Sequence, residues 1–82
     1  MTTLTIYSRP GCHLCDEMKA IVMRVVGPMA GRVAVNEVDI SGNPDLEAQY
    51  GLEIPVLTVD GKKAAKYRVT ETALARILDP DS

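Results

Sequence analysis

Ser8-Arg9-Pro10-Gly11-Cys12-His13-Leu14-Cys15-Asp16-Glu17 holds both cysteines of an 82-residue chain. Cysteines at that spacing can hold a metal, staple a domain or exchange disulfides, and the flanking residues bear on the choice. Thr3 to Ser8 (TLTIYS) alternates and is rich in β-branched residues, which predicts a strand. Arg9-Pro10-Gly11 breaks it. From there the apolar residues Leu14, Met18, Ile21, Val22, Val25 and Met29 fall on one helical stripe, with Asp16, Glu17, Lys19 and Arg24 on the wet side. Gly27-Pro28 ends or kinks the helix. Cys12 therefore falls where a strand gives way to a helix, and Cys15 lies one turn further on the same face.

That placement favours redox chemistry. The first N–H groups of a helix have no partner within it, and its dipole is positive at that end. A thiolate at Cys12 is stabilised there, so its pKa is expected to drop by one to several units from about 8.5. Cys12 can then attack a disulfide, and Cys15, shielded below, can attack the resulting mixed disulfide and release the product. Pro10 and Gly11 keep the approach free of bulky side chains. His13 as a cation favours a neighbouring thiolate; the plainer reading is a side chain pointing into solvent. Asp16 and Glu17 oppose a thiolate and limit the shift, while suiting the positive end of the helix. A structural zinc site needs four ligands, whereas the chain has two cysteines and one histidine, so a metal would need a second chain. Two buried, inert thiols are the remaining reading, and a strand-to-helix corner is an odd place to hide them.

The remainder of the chain alternates elements. Val33 to Ile40 (VAVNEVDI) predicts a second strand whose alternation changes phase near Asn36-Glu37, consistent with a bulge or with burial on both faces at one end. Asn43 as cap, Pro44 as first residue and Gly51 as stop bracket a short helix carrying Leu46 and Tyr50. Pro55 to Val59 predicts a third strand. Asp60-Gly61 is a hairpin turn signal leading to a fourth strand over Lys62 to Val69. Thr70 caps a last helix carrying Leu74, Ile77 and Leu78, with Val69 and Leu74 as its hydrophobic staple. The order is β-α-β-α-β-β-α. The first two strands are expected to be parallel through a right-handed crossover and the last two antiparallel, giving one small mixed sheet with helices on both faces.

Bulk properties narrow the function classes. One domain spanning residues 1–82 is expected at this length. The chain is 46% hydrophobic without Phe or Trp, so aliphatic residues must build the core, and a net charge of -2 speaks against disorder. That charge excludes a dedicated nucleic-acid binder; Lys62, Lys63, Lys66 and Arg68 read as a solvated face. No apolar run approaches the ~20 residues of a membrane span. No leading charge and apolar run mark a secretory signal, so a cytoplasmic location is expected, where a permanent disulfide is uncommon. Pro55 starts a strand, which costs no ladder hydrogen bond. Since only about 5–6% of X–Pro bonds are cis, the residues alone predict trans.

Taken together, "TIYSRPGCHLC" at a strand–helix junction and "VDISGNPDLEAQYGLEIPVLTVDGKK" resemble the glutaredoxin-like branch of the thioredoxin superfamily, especially small bacterial proteins with a CHLC-type motif. The resemblance runs from Thr3 to about Leu78. It implies an α/β thioredoxin-like (glutaredoxin-type) fold, a four-stranded mixed sheet flanked by three helices. It also implies Cys12 as nucleophile, Cys15 as resolving thiol, and Pro55 as a cis-proline beside them. The Ile54 backbone would then offer hydrogen bonds to an extended substrate, and Arg9 matches a basic position near a glutathione carboxylate. The sequence departs from glutaredoxins in having His13-Leu14 in place of Pro-Tyr. Tyr67-Arg68-Val69-Thr70-Glu71 replaces the Gly-Gly and acidic residues that bind glutathione, with Thr70 and Glu71 able to replace part of that contact.

The expected function is thiol–disulfide exchange through catalytic Cys12 and Cys15. Pro10, Gly11 and His13 modulate the pair, and Arg9, Ile54, Pro55, Tyr67, Thr70 and Glu71 bind substrate. No cofactor or metal is expected. Glutathione is a possible co-substrate, and the partner is a disulfide-containing protein, glutathione, or both, with the chain a monomer. The competing readings are a non-catalytic binding module of the same fold, using Arg9, Ile54 and Tyr67, and a metal-binding protein with intersubunit ligands.

Overall fold

A computed structural model describes residues 2–29 and 31–78. Strand β1 (Thr2–Ser8) leads to helix α1 (His13–Val26), which is followed by a 3-10 turn (Gly27–Met29). Then come β2 (Val33–Asp39), α2 (Pro44–Tyr50), β3 (Val56–Val59), β4 (Lys62–Lys66) and α3 (Glu71–Leu78). The sheet order is β2-β1-β3-β4. The β1–β2 pair is parallel and both other pairs are antiparallel.

Local chemistry accounts for most boundaries. Asn43 caps α2 by accepting from the Leu46 N–H at 3.2 Å, and Pro44 takes the first position, where no N–H is needed. Thr70 Oγ1 accepts from the Ala73 N–H at 3.0 Å and starts α3. Val69 and Leu74 are both buried in the same cluster, as a staple requires. Asp60 and Gly61 have φ of 51° and 88°, the positive pair that lets a two-residue turn follow the twist of its strands. Asp60 Oδ1 and the Asp60 N–H also bond the Thr3 backbone, at 2.9 and 2.8 Å, fixing the hairpin tip to the start of β1.

Each face of the sheet carries its own apolar cluster. On one face Leu4, Ile6 and Leu57 pack against Met18, Val22 and Val26 of α1 and Leu74 of α3. On the other, Tyr7, Ile54 and Val56 meet Ile40, Leu46 and Tyr50. Tyr7 and Tyr50 stack with ring centroids 4.3 Å apart. Burial, with the adjoining Tyr50 adding to it, holds the Tyr7 hydroxyl above its ordinary pKa of 10.0, so it stays protonated at neutral pH. No helix among the described residues is long and apolar enough to cross a membrane.

Several boundaries correct the sequence reading. Helix α1 stops at Val26, as the Gly27-Pro28 break predicts, while Met29, the last member of its stripe, packs on the core from the 3-10 turn and not from the helix. Strand β2 ends at Asp39 and keeps an unbroken register with β1. The sheet's irregularity lies between β3 and β4, where Leu57 faces Ala65 and Thr58 faces Lys63, leaving Ala64 as the extra residue. Strand β3 begins at Val56, after Pro55. Strand β4 was expected to run to Val69 but ends at Lys66, because Tyr67 takes φ of 67° and turns the chain out of the ladder.

Leu57 is fully buried between the central strands and α1. Leu57→Ala is expected to cost about 2–5 kcal/mol, a large share of the total for a domain this size. Urea unfolding should show a lower midpoint with an unchanged slope.

Candidate active site

The two cysteines occupy the corner between β1 and α1. Cys12 is the N-cap of α1, with φ of −88° and ψ of 111°. Its sulfur accepts from the Cys15 N–H at 3.1 Å, and its carbonyl accepts from the Asp16 N–H at 3.2 Å. The two sulfurs are joined as a disulfide, with Cα atoms 5.2 Å apart. Cys12 is half-buried and Cys15 is 2% exposed. A reagent from solvent therefore meets Cys12 first, which is the order that attack followed by resolution requires. Gly11 takes φ of 78° with open space where a Cβ would stand, so the sharp turn into Cys12 is its reason for being glycine.

A cavity of about 260 Å³ lies beside Cys15, bounded by Ser8, Arg9, Pro10 and Gly11 on the loop side and by Asp16, Glu37 and Asp39. The parallel register sets Asp39 opposite Ser8 and Glu37 opposite Ile6, so β2 lends its acidic end to the site. Glu37 pairs with Lys19 at 3.3 Å, and Asp39 Oδ1 accepts from the Ser41 N–H at 2.8 Å. An apolar groove of about 340 Å³ runs along α1, lined by Leu14, Met18, Ile21, Tyr67 and Val69 and bordered by Glu17 and Arg68.

The antiparallel register, with Tyr7 opposite Val56, brings the Leu52–Pro55 loop to the same end of the sheet as the cysteine corner. Pro55 is buried, and the Ile54–Pro55 peptide bond is cis. Three side chains from β4 and the turn beyond it hold this loop. Tyr67 Oη donates to the Leu52 carbonyl at 3.0 Å, while Lys63 and Lys66 reach Glu53 at 2.6 and 3.4 Å. The Tyr67 N–H also donates to the Pro55 carbonyl at 2.8 Å. The hydrogen bond from Lys63 holds the Glu53 carboxyl below its usual 4.5 against the opposing effect of burial, with the charges of Lys63 and Lys66 adding to the lowering.

The other anticipated residues fall into two groups. His13 is exposed at the first position of α1. Arg9, Thr70 and Glu71 are engaged with partners inside the molecule. Arg9 Nη2 meets Glu47 Oε1 of α2 at 3.2 Å, Thr70 caps α3, and Glu71 pairs with Arg24 at 3.2 Å. Arg24 is nine residues beyond Cys15, about 13 Å of helix rise, so Glu71 is turned away from the cysteines. Glu47, Glu53 and Asp39 were not singled out in the sequence. Only a matching partner three or four residues away on the same helix could have signalled an ion pair in the sequence, and their partners lie on other elements.

Comparison with known proteins agrees with this geometry. The family described as Glutaredoxin-like domain (DUF836) matches residues 3–79. The chain belongs to that family. A glutaredoxin-like protein of Dictyostelium discoideum is 29% identical over 75 residues, covering 87% of this glutaredoxin-like chain and 69% of its own. A solved structure from X. campestris superposes with a TM-score of 0.71 at 30% identity, over 96% of this chain and 99% of that one. Chloroplastic thioredoxin z superposes with a TM-score of 0.79 at 19% identity, covering 98% and 77%, a likeness of fold. The glutaredoxin-like domain thus has a thioredoxin fold with its Cys12–Cys15 pair oxidised.

The Glu53 clamp has a pH signature. Because its folded pKa is lowered, the stability it contributes is present above about pH 4.5 and is lost as the pH falls through the lower folded value. Lys63→Ala is expected to move the Glu53 carboxyl midpoint up toward 4.5 in a carbon-detected NMR titration. An unmoved midpoint would contradict the clamp.

Proposed function

We propose that the protein is a thiol–disulfide oxidoreductase that cycles Cys12 and Cys15 between dithiol and disulfide. The observation that carries this reading is the pairing of a half-buried Cys12 at a helix N-terminus with a buried Cys15 bonded to it. In the reduced protein the Cys15 N–H remains placed to stabilise a thiolate on Cys12, since a helix N-terminus favours an anion.

The reaction balances without a cofactor. The Cys12 thiolate attacks one sulfur of a substrate disulfide, forms a mixed disulfide and expels the other sulfur as a thiolate, which takes up a proton. Cys15 then loses its proton and attacks the Cys12 sulfur, releasing the second substrate thiol. The protein ends oxidised, as in this structure, and the substrate gains two electrons and two protons. The substrate is a protein disulfide or a glutathione mixed disulfide, with the Ile54–Pro55 segment lying alongside it. Two glutathione thiols, or one protein dithiol, return the pair to the reduced state and leave as a disulfide.

Cys15→Ser removes the resolving thiol and is expected to accumulate mixed disulfides through Cys12, released by reductant and visible on non-reducing gels. In that variant, alkylation of Cys12 should reach half its plateau at a pH below the ~8.5 of an ordinary cysteine. A midpoint at 8.5 or above, or capture of the same partners with both cysteines replaced, would favour a non-catalytic binding module instead.

A further inference from the structure

Arg9 is the cationic side chain at the cavity beside Cys15, whose other charged borders are the carboxylates of Asp16, Glu37 and Asp39. A disulfide carrying carboxylates would find its attraction there. Yet Arg9 already holds one: Glu47 Oε1 stands 3.2 Å from Nη2. The contact is built in from α2. Gly51 closes that helix at φ of −55°, a value open to any residue, so a turn does not explain it. A Cβ at Gly51 would instead stand 3.2 Å from Arg9 Nη2 and clash with the Glu47 carbonyl. The missing side chain leaves the room in which the guanidinium lies over the last turn of α2, within reach of Glu47.

We infer that Glu47 is a specificity-determining residue, an internal carboxylate that occupies Arg9 and so selects against anionic disulfides such as glutathione disulfide in favour of neutral or basic ones. The inference rests on the redox reading of Cys12 and Cys15. An incoming carboxylate must share Arg9 with Glu47 or displace it, and it also meets the carboxylates of Asp16 and Asp39. It must also approach a Cys12 thiolate of its own sign. Both partners of the pair are about 40% exposed, so displacement is possible and its cost small. Exposed ion pairs are weak, which corresponds to a discrimination of about two- to fivefold. Salt should erode it, because charges about 8–10 Å apart are already screened near 0.1 M.

The test is the rate at which the reduced full-length protein is oxidised by glutathione disulfide, divided by the rate with uncharged 2-hydroxyethyl disulfide. Glu47→Gln is expected to raise this ratio about two- to fivefold at low ionic strength, and less at high salt. In an Arg9→Gln background the same substitution should leave the ratio where it was. Glu47→Ala serves as a second variant and should match Glu47→Gln. A ratio unchanged by both Glu47 variants, or a rise that survives the loss of Arg9, overturns the inference. Failure of the redox reading shows separately: the wild-type dithiol would then react with the neutral disulfide no faster than free dithiothreitol at the same pH. The ratio can be read in that case too, since any accessible thiol exchanges.

Discussion

The first turn of α1 must find acceptors for N–H groups that no helix can satisfy internally, and Cys12 both caps one of them and opens the helical ladder. Its carbonyl takes the Asp16 N–H and its sulfur takes the Cys15 N–H. Most N-caps are oxygen-bearing side chains, so a sulfur in this role joins the start of the helix to the reactive atom. The same turn places Cys15 one step behind on the buried side, where Met18, Val22 and Val26 continue the stripe into the core. Packing of α1 against β1 therefore fixes which sulfur faces solvent. Gly11, turning at positive φ, lets β1 deliver Cys12 to that position.

The Leu52–Pro55 loop at the same end of the sheet is held by a different device. Pro55 is buried and Ile54 packs on the Tyr50 cluster, but the start of the loop is not anchored this way, and Leu52 is almost fully exposed. Its position depends on the β3–β4 hairpin, which sends Lys63, Lys66 and Tyr67 back across it. Tyr67 can do so only because it adopts φ of 67°, a conformation uncommon for a residue with a Cβ. Its two hydrogen bonds, to Leu52 and Pro55, offset that strain. A glycine here would turn as easily but could not reach the loop, so the aromatic ring substitutes a side-chain strut for open backbone.

The cysteine corner and this loop differ in how far the sequence reveals them. The cysteine corner is local: strand alternation, a Pro-Gly break and a helical stripe are adjacent in the chain, and each follows from residue type. The hairpin turn at Asp60-Gly61 and the cap at Asn43 are legible for the same reason. The end of β4 is not, because Lys62 to Val69 contains no glycine or proline and the turn at Tyr67 depends on tertiary hydrogen bonds. The ion pairs are equally silent. Arg9 and Glu47 are 38 residues apart, and only the packing of α2 on the Tyr7 face of the sheet brings them together.

Arg9 shows why matching a residue is weaker than matching its surroundings. Its place before Cys12 suggests a free cation waiting for a substrate carboxylate. Whether it is free depends on α2, where Glu47 supplies the carboxylate and Gly51 the space. Thr70 and Glu71 follow the same logic, since capping α3 and pairing with Arg24 satisfy their polar atoms inside the fold. A polar side chain that already has a partner must share or lose it when it binds something else, so recognition gains less than a free group would give. The least encumbered surface beside the cysteines is the apolar groove of Leu14, Met18, Ile21, Tyr67 and Val69, where burial of carbon rather than exchange of ion pairs sets the gain. The selectivity proposed for this site thus rests on the partners its polar groups already have as much as on which groups are present.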